Sequence, residues 1–235
     1  MRGASLISPR SLTDEIAARS VELRRRIAER TDRDVRIVCV TKGHPIDVAR
    51  AAFAAGFEDL GENYAQDLLR KADGWQEPRP RWHFIGRLQS NKVRSLTPVV
   101  SLWQSVDRES VATEITRRAP GARVLVQLDL AGLPDRGGCQ PDDAPALVRR
   151  CTELGLDVGG LMGVGVPGPP EGSRPGFRLL GRIADDLGLP IRSMGMSADI
   201  DVAVEEGSTM VRIGSQLVGP RPDRPASNTL RRNTP

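Results

Sequence analysis

The chain has 235 residues, of which 39% are hydrophobic and 27% charged, and no uninterrupted apolar stretch approaches the ~20 residues of a membrane span, so a membrane partner is excluded. The net charge is +4, but residues 219 to 235 hold four arginines and one aspartate, which leaves the rest nearly neutral. With aromatics at 3% there is little stacking surface, and nucleic acid is excluded as a partner.

The first element is an amphipathic helix over roughly 11 to 30, opened by the cap-like Ser11 and carrying Ile16, Leu23 and Ile27 on one face. The N-terminal stretch before it has no apolar signal core, so the expected location is the cytoplasm. Strand-like segments follow at 35 to 41, 58 to 61, 82 to 86, 100 to 106, 122 to 129, 158 to 164, 190 to 195 and 209 to 213. Helical stretches alternate with them at 46 to 55, 64 to 73, 89 to 95, 108 to 118, 141 to 154, 173 to 187 and 199 to 206. Several strands are nearly continuous apolar runs, as strands covered on both faces are. Eight such units predict a single α/β domain, a (β/α)8 TIM barrel with an additional N-terminal helix, over residues 1 to 220. The competing arrangement is a doubly wound open sheet. Residues 221 to 235, rich in Pro, Arg and Asn, read as a disordered basic tail, and the Pro/Gly-rich stretch from 163 to 176 as a long mobile loop over the site. Cys39, Cys139 and Cys151 have neither an even count nor zinc-site spacing and read as buried or incidental thiols.

In a barrel the chemistry gathers at the C-terminal ends of the strands. Lys42 ends the first strand in a chain whose 34 cations include only two other lysines, Lys71 and Lys92. An arginine cannot act as an amine nucleophile near neutral pH, whereas a lysine whose pKa is lowered by burial can attack an aldehyde. The alternative is a strand-end lysine snorkelling to a carboxylate. "SMGMS" and "VRIGS" end the last two strand regions, each with a glycine close to a small hydroxyl residue, the composition of a backbone phosphate site, although glycine and serine are also routine turn residues. A phosphate beside a lysine Schiff base is the chemistry of pyridoxal phosphate. Arg212 lies two residues before Gly214, so both face one side of the eighth strand. Asn63 in "GENY" is a hydrogen-bonding candidate, with helix capping by Glu62 and Asn63 as its alternative. His83, between Trp82 and Phe84, is a candidate for touching a cofactor ring or a satisfied interior histidine. "GRLQSNK" presents Arg87 and Lys92 as an anion-facing or simply solvated loop. Metal-ligand spacing, a nucleophile elbow, a Walker loop and a dinucleotide fingerprint are all missing from the sequence.

Together "VCVTKGHP", "DLGENYAQ", "WHFIGRLQSNK" and "SMGMSADIDVAVEEGSTMVRIGSQLVG" resemble the pyridoxal phosphate homeostasis protein family, in order, from about residue 12 to residue 221. The resemblance implies a barrel like the N-terminal domain of bacterial alanine racemase, with pyridoxal 5'-phosphate (PLP) as cofactor held as an internal aldimine on Lys42. It further implies that Ser197, Gly214 and Ser215 bind the phosphate and that Arg212 faces the pyridine nitrogen. This chain departs from the family at His44 and Arg136, where lysines are common, and at Ser215, where threonine is usual.

A PLP-dependent amino-acid racemase would need a second acid/base opposite Lys42. Racemases of the related fold take a tyrosine from an additional β domain; this sequence has only Tyr64, and about 20 residues after the eighth strand, too few for another domain. The resemblance therefore favours a monomeric, non-catalytic carrier that buffers PLP and supplies PLP-dependent apoenzymes, with racemisation as the alternative.

Overall fold

The computed structural model describes residues 11–76, 78–133 and 137–221. Eight parallel strands pair in sequence order and close on themselves: β1 (Arg36–Val40), β2 (Asp59–Glu62), β3 (Arg81–Phe84), β4 (Val100–Val106), β5 (Arg123–Leu128), β6 (Asp157–Gly163), β7 (Ile191–Ser193) and β8 (Met210–Ile213). Closure runs through β1 and β8, which pair over four positions from Arg36↔Met210 to Cys39↔Ile213. The expected barrel is therefore found, and the open sheet is not.

Helices α2 (Ile46–Ala54), α3 (Ala65–Asp73), α4 (Ser90–Leu96), α5 (Glu109–Arg118), α6 (Ala144–Glu153), α7 (Arg174–Asp186) and α8 (Ile200–Glu205) connect the strands. The N-terminal helix α1 (Leu12–Ala28) starts at a reciprocal cap, in which Ser11 Oγ accepts the Asp14 N–H at 3.2 Å and the Asp14 carboxylate accepts the Ser11 N–H at 3.3 Å. It packs against α2, α8 and the single turn α9 (Ser215–Val218), so it fills the sector that a long helix after β8 would otherwise cover. Arg26 and Arg30 both reach Asp201 of α8, each at 2.7 Å, and fix that position.

Alternation along the strands divides the apolar residues into two layers. Outward-facing side chains, including Trp82, Phe84, Trp103 and Val211, meet the helices. Val38, Leu102, Leu125, Met162 and Met210 form a smaller cluster inside the barrel. The β6–β7 seam is narrow: a Cβ on Gly160 would lie 2.0 Å from the Ile191 carbonyl oxygen, so glycine is required there.

The structure refines several expectations. β7 stops at Ser193, before the expected end at 195, because the chain turns at Gly195 with φ +97°. The turn α9 lies where only a Gly-Ser loop was expected. Between β6 and α7, the Pro/Gly-rich segment holds a one-turn 3-10 helix, Pro170–Ser173, with Ser173 buried beneath it. The cysteines are free; Cys39 and Cys151 are buried and Cys139 half-buried, and burial pushes the Cys39 thiol up to about 12. Arg136 and the 222–235 tail lie outside the described residues.

The α1 packing has a measurable consequence. Leu23 is fully buried, and Leu23→Ala is expected to lower unfolding stability by roughly 3 kcal/mol in urea denaturation, the usual cost of a leucine cavity.

Candidate functional site

A cavity of about 530 Å³ opens at the C-terminal ends of the strands. Lys42 enters it from the β1–α2 loop, on the same side of the chain as Val40, which lines the floor. The Lys42 backbone is fixed from behind. Thr41 extends the β1–β2 ladder through its N–H to the Gly61 carbonyl (3.1 Å), and Lys71 of α3 donates from Nζ to the Thr41 carbonyl (2.7 Å). Lys71 also pairs with Glu62, whose Oε1 accepts the Thr41 hydroxyl at 2.6 Å. Both members of this pair are buried, and burial pushes the Glu62 carboxyl up against the pull of the ammonium. Glu62 therefore does not cap α3, which begins at Tyr64 without a side-chain cap.

On the opposite wall, Arg212 projects inward from β8 and is almost completely buried. Its Nη1 donates to the Ser193 carbonyl and hydroxyl, both at 2.7 Å, and its Nη2 donates to the Gly163 carbonyl at 2.8 Å. Burial pulls the guanidinium down to about 10, with Asp199 opposing, so it remains charged at neutral pH. Asp199 also accepts the Met196 N–H at 2.7 Å and so holds the loop that carries Ser197 and Ala198 into the lining. Gly214 and Ser215 continue the same wall at the end of β8.

The structure thus brings together Lys42, Asn63, Ser197, Arg212, Gly214 and Ser215 around one cavity. His83 is not part of the lining. It lies in the barrel interior with Nε2 3.0 Å from Asp59 Oδ1 and Nδ1 2.7 Å from Gln104 Nε2, which is the satisfied-interior arrangement. Asn63 lines the wall with its Oδ1 buried and lacking a hydrogen-bond partner. Gly86 lies directly against it, since a Cβ there would fall 2.0 Å from the Asn63 carbonyl oxygen. Arg87 reaches the cavity, whereas Lys92 lines a smaller cleft beside it with Tyr64.

Sequence reasoning missed Arg221, Gln127 and the supporting role of Lys71. Arg221 lies over Gly43, 3.2 Å from where a Cβ would stand, and lines the cavity although composition assigned it to the tail. His44 also lines the cavity, two residues from Lys42. Among the described residues the lining therefore carries Lys42, Arg87, Arg212 and Arg221 and no carboxylate. Burial, then Arg221 and Arg212, lower the Lys42 pKa, with Glu62 opposing; burial, Lys71 and Arg221 lower that of His44. No group of His, Cys, Asp and Glu among the described residues could hold a metal ion.

Residues 14–222 match the model of the family described as the alanine racemase N-terminal domain. The pyridoxal phosphate homeostasis protein of Aquifex aeolicus is 38% identical over 210 residues, covering 83% of this chain and 90% of its own length. That of Pseudomonas aeruginosa is 36% identical over 208 residues, covering 84% and 90%. The chain belongs to the pyridoxal phosphate homeostasis protein family. The solved structure of PipY from Synechococcus elongatus with PLP bound superposes with a TM-score of 0.75 at 31% identity, covering 87% of this chain and all of PipY. PipY and this chain thus share the barrel closed here, and the candidate residues of the sequence converge on one cavity, His83 excepted.

Two outcomes follow from the electrostatics. A lowered pKa exposes the free amine at lower pH, so the acylation profile of Lys42, read by peptide mass spectrometry, is expected to rise below the pH at which an ordinary lysine reacts. Arg221→Gln removes a repelling cation and moves that profile back up. Lys71→Met leaves Glu62 buried without its cation and is expected to cost about 3 kcal/mol in chemical denaturation.

Proposed function

We propose that this cavity binds pyridoxal 5'-phosphate and that the chain acts in PLP homeostasis as a reversible carrier. One observation carries the reading: a lysine with a lowered pKa faces a cavity lined by three arginines and no carboxylate, which suits a ligand combining an aldehyde with a phosphate dianion. When bound, the cofactor supplies an electrophilic aldehyde carbon and an electron-withdrawing ring.

Lys42 would hold the aldehyde carbon through Nζ, the carbonyl oxygen leaving as water. Ser197, Gly214 and Ser215 receive the phosphate on the wall built by the last two strands, with Arg221 balancing its charge from the side. Asn63 offers its unpartnered Oδ1 to a donor in the cavity. Arg212 would face the pyridine nitrogen with a guanidinium that keeps its proton, which would leave the ring a weak electron sink. That choice of partner favours holding the cofactor over carbanion chemistry. The sole tyrosine, Tyr64, is exposed and lines the neighbouring cleft, so it does not supply a second acid/base opposite Lys42. The carrier is non-catalytic, monomeric and cytoplasmic in this reading, and passes its cofactor to PLP-dependent apoenzymes.

Borohydride reduction of the PLP-treated chain is expected to fix the cofactor on the Lys42 peptide, and Lys42→Ala to lose the label and at least tenfold in affinity. Label on Lys71 or Lys92 in place of Lys42 overturns the assignment. Chiral analysis after incubation with L-alanine is expected to detect no D-alanine; sustained conversion would replace the carrier with a racemase.

A further inference from the structure

The barrel interior contains a continuous line of buried polar groups that begins in the cavity and runs away from it. Arg212 of β8 donates from Nη1 to Ser193 Oγ on β7 (2.7 Å). Ser193 Oγ donates to Gln104 Oε1 on β4 (2.7 Å). Gln104 Nε2 lies 2.7 Å from His83 Nδ1 on β3, and His83 Nε2 lies 3.0 Å from Asp59 Oδ1 on β2. Asp59 is further bound by Arg81, whose Nε and Nη2 meet its two oxygens at 2.8 and 2.9 Å. All five groups from Arg212 to Asp59 are more than nine-tenths buried, and only Arg212 lines the cavity.

The ends of the line dictate its direction. A guanidinium only donates, so Ser193 Oγ accepts from Arg212 and turns its own hydrogen to Gln104 Oε1. The Gln104 amide then presents its NH₂ to His83, one hydrogen to Nδ1 and the other towards Met210 Sδ at 3.3 Å. Nδ1 then accepts, which places the ring proton on Nε2, where it goes to the Asp59 carboxylate. Burial pushes the Asp59 carboxyl up, but the Arg81 and His83 hydrogen bonds outweigh it and hold Asp59 well below the usual carboxylate range, so the far end stays an acceptor. From Arg212 to Asp59, each hydrogen bond linking one member of the line to the next is therefore donated in the same direction.

We propose that Gln104 and His83 are positioning residues, which fix the Arg212 guanidinium against the cofactor ring through this one-directional relay without touching the cofactor. Packing alone would require only residues of suitable volume at 104 and 83. A directed relay also requires one amide orientation and one imidazole tautomer, and it holds Ser193 Oγ in place as an acceptor for Arg212. The inference rests on the PLP reading of the cavity for its functional consequence, while the relay itself is a property of the cofactor-free chain.

The chain has two histidines, His44 and His83, so ¹⁵N-histidine spectra of the full chain resolve both. His83 is expected as the Nε2–H tautomer in the cofactor-free parent. Gln104→Leu is expected to abolish that fixed tautomer, and the isosteric Gln104→Glu to put protons on both His83 nitrogens, because a carboxylate there can only accept. With PLP added, both variants are expected to label Lys42 with borohydride, to shift the cofactor absorption maximum and to bind on the order of tenfold more weakly, the scale of one buried hydrogen bond. A parent His83 protonated on Nδ1 overturns the relay. So do variants that melt with the parent and keep its absorption maximum and affinity. A parent that shows the expected tautomer yet never labels Lys42 overturns the PLP reading instead, so the two failures are distinguishable.

Discussion

The charge of Arg212 is the constraint on which most of the site depends. A guanidinium inside a barrel is tolerated only where every direction it points offers an acceptor. Here the acceptors are mostly backbone: Gly163 is the last residue of β6 and Ser193 the last of β7, and their carbonyls are the groups that strand endings leave to be satisfied. Arg212 thereby ties together the ends of two neighbouring strands across a seam where β7 and β8 share a single paired position. Among the described residues no carboxylate hydrogen-bonds to it, so its charge is held in place but not neutralised, and it remains available to whatever enters the cavity.

The same separation of charge recurs around the rest of the site. Acidic groups stand behind the cavity wall or deeper in the barrel, and each is already engaged away from the cavity. Glu62 lies behind β1 and β2 with Lys71, Asp59 is held in the interior by Arg81 and His83, and Asp199 braces the Met196 backbone. Each supports a cation or a loop without lining the cavity. The cavity keeps a positive field, and the rigidity that the acids supply comes from outside it. An anionic ligand meets cations that need no rearrangement of their counter-charges to receive it.

What was legible in the sequence follows from this construction. Strand and helix alternation was readable because both faces of each strand are covered, which leaves apolar runs with clear ends. Lys42 was readable because it ends such a run in an arginine-rich chain, and Gly214 and Ser215 because two similar loops follow the last two strands. His83 was ambiguous because its role depends on Gln104 and Asp59, which come from two other strands and share no local pattern with it. Arg221 was obscured by its neighbours: the composition of the tail describes residues that follow it, whereas its own place is set by contact with Gly43 across the barrel mouth. Lys71 carried no local signal beyond the rarity of lysine, because only the meeting of α3 with the end of β1 buries it.

In the proposed reading, the distribution of lysines limits covalent attachment to one position. Lys71 is engaged with Glu62 and the Thr41 carbonyl and has no route into the cavity except through the backbone that it supports. Lys92 lines the adjoining cleft and not the cavity. At position 44 an imidazole of lowered pKa lines the wall, and at neutral pH it adds no positive charge beside Lys42. Among the described residues, an aldehyde that enters the cavity therefore meets one lining lysine, shifted towards its free form by burial and by the arginines around it.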